Sequence, residues 1–320
     1  MTCAKAAPLA GLLCALLSFG LTWSESAILT FSQTKNSPAL SVDVDLVLLN
    51  ATVTDSRNRH VTGLTKESFQ VWEDKIEQEI QYFSSENVPL SVGIIFDTSG
   101  SMQNKLTDAL TAANTFLRMG EKEDEYFLVE FSDSPHLVTD LTTDITKLQN
   151  RLLLTRAKGR TSLYDAMYLG LERVGHGSNA RKALLLITDG EDNHSHYSFS
   201  DVKEFAKEHD VQIYAIGIVD DESTQGTSYR GRALLQDLAN LTGGRAFFPD
   251  SIHELEGICA AIGVDLKNQY VLGYLPSNRL ADGKWRKIKV KINRTKGKPS
   301  LSVRAKTGYY ASRLTARDMK

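Results

Sequence analysis

The chain has 320 residues, 42% of them hydrophobic and 24% charged, and a formal net charge of −2. That length suits about two domains of roughly 150 residues, and the composition is ordinary for a globular protein with a sizeable core. The balanced charge gives no reason to expect nucleic acid or an anionic membrane surface as partner.

Residues 1–27 read as an export signal. Lys5 is the only charge before Glu25, Leu9 to Trp23 is almost wholly apolar, and Ser24, Ser26 and Ala27 are small enough for a cleavage region. The apolar run is shorter than the ~20 residues of a membrane-spanning helix. A cleaved signal is therefore expected in preference to an uncleaved anchor, and the mature chain is expected to be secreted or periplasmic with no integral membrane span. Leu12-Leu13-Cys14 resembles a lipobox but has Leu13 where that motif wants a small residue. With Cys3 and Cys14 removed, Cys259 stands alone and no intrachain disulfide can form. Its apolar helical setting reads as inert core.

Residues 28–40 are Ser/Thr/Asn-rich and include Pro38, which suits a linker. Residues 41–87 have a β texture. Val42, Val44, Leu46, Leu48 and Val53 alternate with Asp43, Asp45 and Asn50, which predicts a half-buried strand over 41–54. A turn at 55–58, a short return at 60–64, a strand over 69–73, a turn at Asp74-Lys75 and a strand over 79–83 complete a module of about four strands. Pro89 separates it from the next domain.

From 88 to 267 buried strands alternate with amphipathic helices. Val92 to Phe96 has no polar alternation, as expected of a strand buried on both faces of a parallel sheet. Strands are predicted over 125–131, 137–141, 183–188, 211–219 and 245–248. Helices are predicted over 105–119, 144–153, 162–174, 200–209 (with Ser200 as N-cap), 232–241 and 251–266. This order predicts a doubly wound, mainly parallel α/β sheet flanked by helices. The β texture returns over 268–312, and residues 313–320 form a tail. Each β arm is too small for a core of its own, so the two are expected to complete one small β-sandwich with the α/β domain inserted between them.

Three polar loops leave the strands of that sheet. Asp97-Thr98-Ser99-Gly100-Ser101 follows the first strand, Gly159-Arg160-Thr161-Ser162 precedes a helix, and Thr188-Asp189-Gly190-Glu191-Asp192 follows a second fully apolar strand. In open α/β sheets ligands bind at the carboxyl ends of the strands. A carboxylate and two hydroxyls on one tight turn are hard oxygen donors suited to a small divalent cation. Taken singly, each loop could be no more than a turn built from turn-forming residues.

Together the loops resemble those of the von Willebrand factor type A domain, whose metal-ion-dependent adhesion site uses Asp-x-Ser-x-Ser, a Thr and an Asp. Asp97, Ser99, Ser101, Thr161 and Asp189 match all five positions, and the resemblance covers about residues 90–266. The whole layout also resembles bacterial secreted proteins described as VWFA-related, in which a stretch like Tyr270-Val271-Leu272-Gly273-Tyr274 comes after the domain. The resemblance implies that Ser99 and Ser101 contact the cation directly, that Asp97 and Asp189 supply charge directly or through water, and that Thr161 binds according to state. It also implies an open position for a carboxylate from a protein partner's Asp or Glu, and a last helix that shifts with affinity. Mg²⁺ suits such a set because it keeps waters; Mn²⁺ fits the same oxygens, and Ca²⁺ prefers more ligands.

The function expected is extracytoplasmic, metal-dependent protein binding of an adhesion or scaffolding kind, without enzyme activity. Two alternatives stand beside it. One is a metal-dependent hydrolase or phosphatase with Asp97 as nucleophile, although Ser99 stands where such phosphatases place a second acid, and neither a Gly-x-Ser-x-Gly elbow nor a phosphate loop occurs. The other is a structural envelope component in which the metal is incidental. His194-Ser195-His196 lacks the further ligands of a zinc site and reads as a solvated loop. Asp220-Asp221-Glu222 reads as an exposed acidic loop, and the alternating lysines and arginine of 284–291 as the solvent face of a strand.

Overall fold

The computed structural model describes residues 46–189, 192–218, 225–293 and 300–313, with backbone only for 225–229. The export signal, the linker and the acidic loop at 220–222 lie outside the described residues. Four strands come first: β1 (Val47–Thr54), β2 (Phe69–Glu73), β3 (Ile76–Gln78) and β4 (Ile80–Ser84). Asp74 and Lys75 turn β2 into β3, both with positive φ (45° and 73°), as a two-residue hairpin turn that matches strand twist requires.

The α/β part comes next as β5 (Leu90–Asp97), α1 (Leu106–Arg118), β6 (Glu125–Phe131), β7 (Pro135–Thr142), α2 (Ile145–Leu152), α3 (Leu163–Gly175), β8 (Arg181–Thr188), α4 (Phe199–Glu208), β9 (Gln212–Gly217), α5 (Gln225–Thr242), β10 (Arg245–Phe247) and α6 (Leu255–Lys267). The chain continues through β11 (Gln269–Tyr274), β12 (Trp285–Ile292), β13 (Ser302–Arg304) and β14 (Gly308–Tyr310).

The six-stranded sheet runs β10-β9-β8-β5-β6-β7. All its pairings are parallel except β6 with β7. It is the mainly parallel, doubly wound sheet that the sequence predicts. The side chains of β5 divide between two cores: Val92, Ile94 and Phe96 meet α1, α2 and α6, while Ile95 meets α3, α4 and α5. Every residue of β5 is buried, so the strand's continuous apolar run is the direct consequence of cover on both faces. Gly93 marks the closest approach, since a Cβ there would lie 2.2 Å from the Phe127 ring and 2.6 Å from Leu184. Central β5 and β8 therefore end side by side, Phe96 opposite Ile187, and deliver Asp97 and Asp189 to one edge.

The remaining strands make two four-stranded sheets, β13-β1-β11-β4 and β14-β12-β2-β3. Each sheet combines strands from before and after the α/β part. They share one core in which Leu49, Val71, Leu272 and Tyr274 are at 0% exposure.

Three local expectations are corrected. In β1 the buried side chains are Val47, Leu49, Ala51 and Val53, while Leu46 and Leu48 are each 41% exposed. The inward face is thus one residue out from the alternation read through Leu46 and Leu48, while Val53 is buried as expected. Val47-Leu48-Leu49 places apolar side chains on both faces, and pairing with β11 rather than polarity decides which is inside. Residues 60–64 form no strand; only an isolated bridge joins Thr54 to His60. Helix α4 is capped by Ser198, not Ser200, through a reciprocal capping box with Asp201. Among the described residues no helix is long and apolar enough to cross a membrane.

Candidate metal centre

Asp97 ends β5 and is at 0% exposure. Its Oδ1 accepts the Ser99 backbone N–H at 2.8 Å and its Oδ2 the Thr188 hydroxyl at 2.5 Å. Burial pushes its carboxyl up to about 6, against the lowering effect of the Thr188 and Ser99 hydrogen bonds, and the neighbouring Asp189 charge adds to the rise. Thr98 donates from both N–H and hydroxyl to the Phe131 carbonyl (2.8 and 2.9 Å), which fixes the turn to the end of β6. Ser99 then caps a 3₁₀ turn, Gly100–Asn104, that leads into α1.

That turn aims the two serines at the third loop. The hydroxyls of Ser99 and Ser101 are 3.1 Å apart, and Ser101 donates to Asp189 Oδ1 at 2.8 Å. Lys105 Nζ lies 2.7 Å from Asp189 Oδ2, with the lysine side chain 10% and the aspartate side chain 0% exposed. Sequence pattern alone gives Lys105 no more than the first position of an amphipathic helix. The signal that could have singled it out is a cation at a helix N-terminus, where the macrodipole disfavours it unless an acid compensates.

The Thr161 loop is joined to the others through its backbone. Lys158 N–H donates to the Thr98 carbonyl at 2.8 Å, and Gly100 N–H to the Gly159 carbonyl at 3.0 Å. Gly159 has φ +82°, and a Cβ there would meet Asp133 Oδ2 at 2.5 Å, so the position calls for glycine. On the other side Thr161 N–H donates to Asn193 Oδ1 at 3.0 Å, and the Thr161 carbonyl accepts from Asn193 (3.0 Å) and His194 (3.1 Å). Thr161 is 3% exposed, and its hydroxyl makes no hydrogen bond among the described residues. Asp165, one turn into α3, accepts the backbone N–H groups of His196 and Tyr197, both at 2.9 Å. Burial acts to raise its carboxyl, but those bonds hold it below the usual range. Asn193 and Asp165 thus position the loops, a role invisible in the motif itself.

The sequence therefore brings five oxygen-bearing side chains to one edge. Four of them, Asp97, Ser99, Ser101 and Asp189, are linked by hydrogen bonds directly or through Thr188, and Thr161 is tied in by its main chain. The donor set is wholly hard oxygen, and it already holds one cationic group, the Lys105 ammonium. Two carboxylates against one ammonium leave it net negative, which fits a small divalent ion.

Residues 92–191 match the family model of the von Willebrand factor type A domain. The matched stretch contains Asp97, Ser99, Ser101, Thr161 and Asp189. The comparison with curated proteins found no match. Among solved structures, the chain is similar to the conserved hypothetical protein BatB from Bacteroides thetaiotaomicron, at 18% identity and TM-score 0.44, over 56% of this chain and 99% of that one. It is similar to von Willebrand factor type A from Catenulispora acidiphila, at 11% identity and TM-score 0.49, over 86% and 75% of the two chains. It is also similar to the vWF domain of the type V pili tip protein Mfa5 from Porphyromonas gingivalis, at 14% identity and TM-score 0.43, over 56% and 97%.

Other candidates within the described residues carry no such chemistry. No group of three His, Cys, Asp or Glu side chains able to hold a metal occurs among them. His196 is 90% exposed and pairs with Asp165 at 2.8 Å, and Ser195 bonds Asp192, so 194–196 is a loop tied to α3. Cys259 is fully buried, and burial pushes its thiol up to about 12, which leaves it inert.

Proposed function

We propose that this protein binds another protein through a divalent cation, Mg²⁺ by preference, in an adhesive or scaffolding role outside the cytoplasm. Asp97, Ser99, Ser101, Thr161 and Asp189 would hold the ion. When bound, the cation supplies an electrophilic position at which a partner's Asp or Glu carboxylate completes the coordination. The chain's own residues do the rest. Thr188 and the Ser99 N–H orient the Asp97 carboxylate, Asn193 fixes the Thr161 loop, and the turn after β5 points both serine hydroxyls toward Asp189.

The observation that carries the reading is the hydrogen-bonded run Ser99–Ser101–Asp189, with oxygens 3.1 and 2.8 Å apart, at the carboxyl edge of the central strands. Asp97 as a nucleophile has no observation in its favour, because both its oxygens accept hydrogen bonds and the side chain is fully buried. The test is capture of partners on immobilised wild type and Asp97→Ala, each in Mg²⁺ and in EDTA. Partners retained by wild type in Mg²⁺ and lost in the other three arms are expected. Equal capture in all four arms would contradict the reading.

A further inference from the structure

We propose that residues 151–160 form a docking rim for the partner, and that the partner presents an acidic segment which also carries apolar side chains. This rests on the reading of the adjacent oxygen cluster as a carboxylate-binding metal site and adds the chemistry that flanks the captured carboxylate.

Leu153 and Leu154 are 75% and 70% exposed, more than any other large apolar side chain among the described residues. A solitary exposed leucine is ordinary, but two in succession make an apolar patch that water leaves unsatisfied. The local fold does not need them. Helix α2 is anchored by Leu148 and Leu152, both at 0% exposure, and Ala157 returns to the same core. The chain between these anchors projects outward with its leucines.

The segment is also strongly basic. From Ile145 to Arg160 the sequence has Lys147, Arg151, Arg156, Lys158 and Arg160 and no acid, in a chain whose net charge is −2. Arg160 is engaged by Asp133, from N–H at 3.0 Å and Nε at 3.2 Å. Arg156 and Lys158 are exposed and form no salt bridge among the described residues. Glu130, on the neighbouring strand β6, accepts the Thr155 hydroxyl at 2.5 Å.

The rim and the oxygen cluster are one surface. The main-chain bonds from Lys158 to Thr98 and from Gly100 to Gly159 fasten the segment to the Ser99–Ser101 turn. A partner whose carboxylate enters the cluster therefore lays its neighbouring residues along a strip that offers Arg156 and Lys158 to further carboxylates and two leucines to an apolar side chain. Such complementarity sets specificity and on-rate. An anionic bilayer would meet the same charges, but most of the cluster is recessed: Asp97, Ser99 and Thr161 are 0%, 1% and 3% exposed, and Ser101 stands exposed at its opening. A protruding peptide side chain reaches such a cluster, whereas a flat headgroup plane does not.

The test uses the protein in Mg²⁺ and a fluorescently labelled peptide of alternating Glu and Leu, with a Gln/Ser peptide and phosphatidylglycerol vesicles as controls. Binding of the Glu/Leu peptide by wild type is expected, weakened about tenfold or more in Arg156→Glu/Lys158→Glu and in Leu153→Ser/Leu154→Ser. Both variants should keep wild-type Mg²⁺ affinity by calorimetry. The proposal is overturned if wild type does not bind the peptide, binds the Gln/Ser control equally, or prefers the vesicles. It is equally overturned if the variants bind the peptide like wild type, or lose Mg²⁺ affinity, which would trace the effect to the cluster. Peptide binding that survives EDTA but is lost in the rim variants would uphold the rim and refute the metal reading.

Discussion

Lys105 places a fixed positive charge on the carboxylate that should help to hold the metal, at 2.7 Å from Asp189 Oδ2. A divalent ion bound beside it meets like-charge repulsion or must share Asp189. Lys105→Met is therefore expected to tighten Mg²⁺ binding about tenfold, or ~1.4 kcal/mol, by calorimetry. Asp97 makes a second prediction. Its pKa is raised from 3.8 to about 6 by burial, so the folded state holds this proton more tightly than the unfolded chain. The resulting stability is fully present below pH 3.8 and is lost as pH rises through about 6. In metal-free buffer, urea unfolding should show up to about 3 kcal/mol of such loss over that window, and Asp97→Asn should remove it. The five oxygen positions were legible because three of them lie in one short local pattern and the others flank regular elements. Lys105 was not, because its partner is 84 residues away and its own neighbourhood reads only as helix.

Most strands and helices were legible because burial on one or two faces imposes its period on the sequence; β6, whose apolar run Tyr126 to Val129 is buried on both faces, spans 125–131 as expected. What escaped was decided by partners distant in sequence. The inward face of β1 is set by pairing Leu49 with Leu272 in β11, and polarity alone could not choose between Leu48 and Leu49. The cap of α4 was a different kind of omission, since Ser198-x-x-Asp201 is itself a readable capping box. The link between the second and third loops rests on Asn193, which accepts from Thr161 N–H and donates to its carbonyl, both at 3.0 Å. Asn193→Ala keeps the main-chain bond and removes the side-chain one. It is expected to weaken Mg²⁺ affinity about tenfold while lowering stability by only about 1 kcal/mol, measured by calorimetry and urea unfolding.

Among the described residues, the α/β part is joined to the strands around it at its last helix, α6. Asp265 on α6 has its side chain 4% exposed, with Arg304 Nη2 of β13 at 2.5 Å and His60 Nδ1 at 3.6 Å. The carboxylate thus bonds α6 to the segment after the α/β part through Arg304 and lies beside His60 of the segment before it, without a hydrogen bond there. Removing one partner of a buried pair leaves an uncompensated charge, so Arg304→Ala is expected to cost about 3 kcal/mol in urea unfolding. That α/β and β textures alternate along the chain was plain in the sequence; that Asp265 joins them was not, because its neighbours lie in the two arms. The site itself depends on the same assembly, since the sheet that presents Asp97 beside Asp189 is covered on one face by α6. The most direct measurement is a calorimetric titration of Mg²⁺ into wild type and into Ser99→Ala/Ser101→Ala. One saturable site in wild type that disappears in the double variant is the expected result. No binding by wild type, or equal affinity in the two proteins, would contradict the assignment of this cluster as a metal centre.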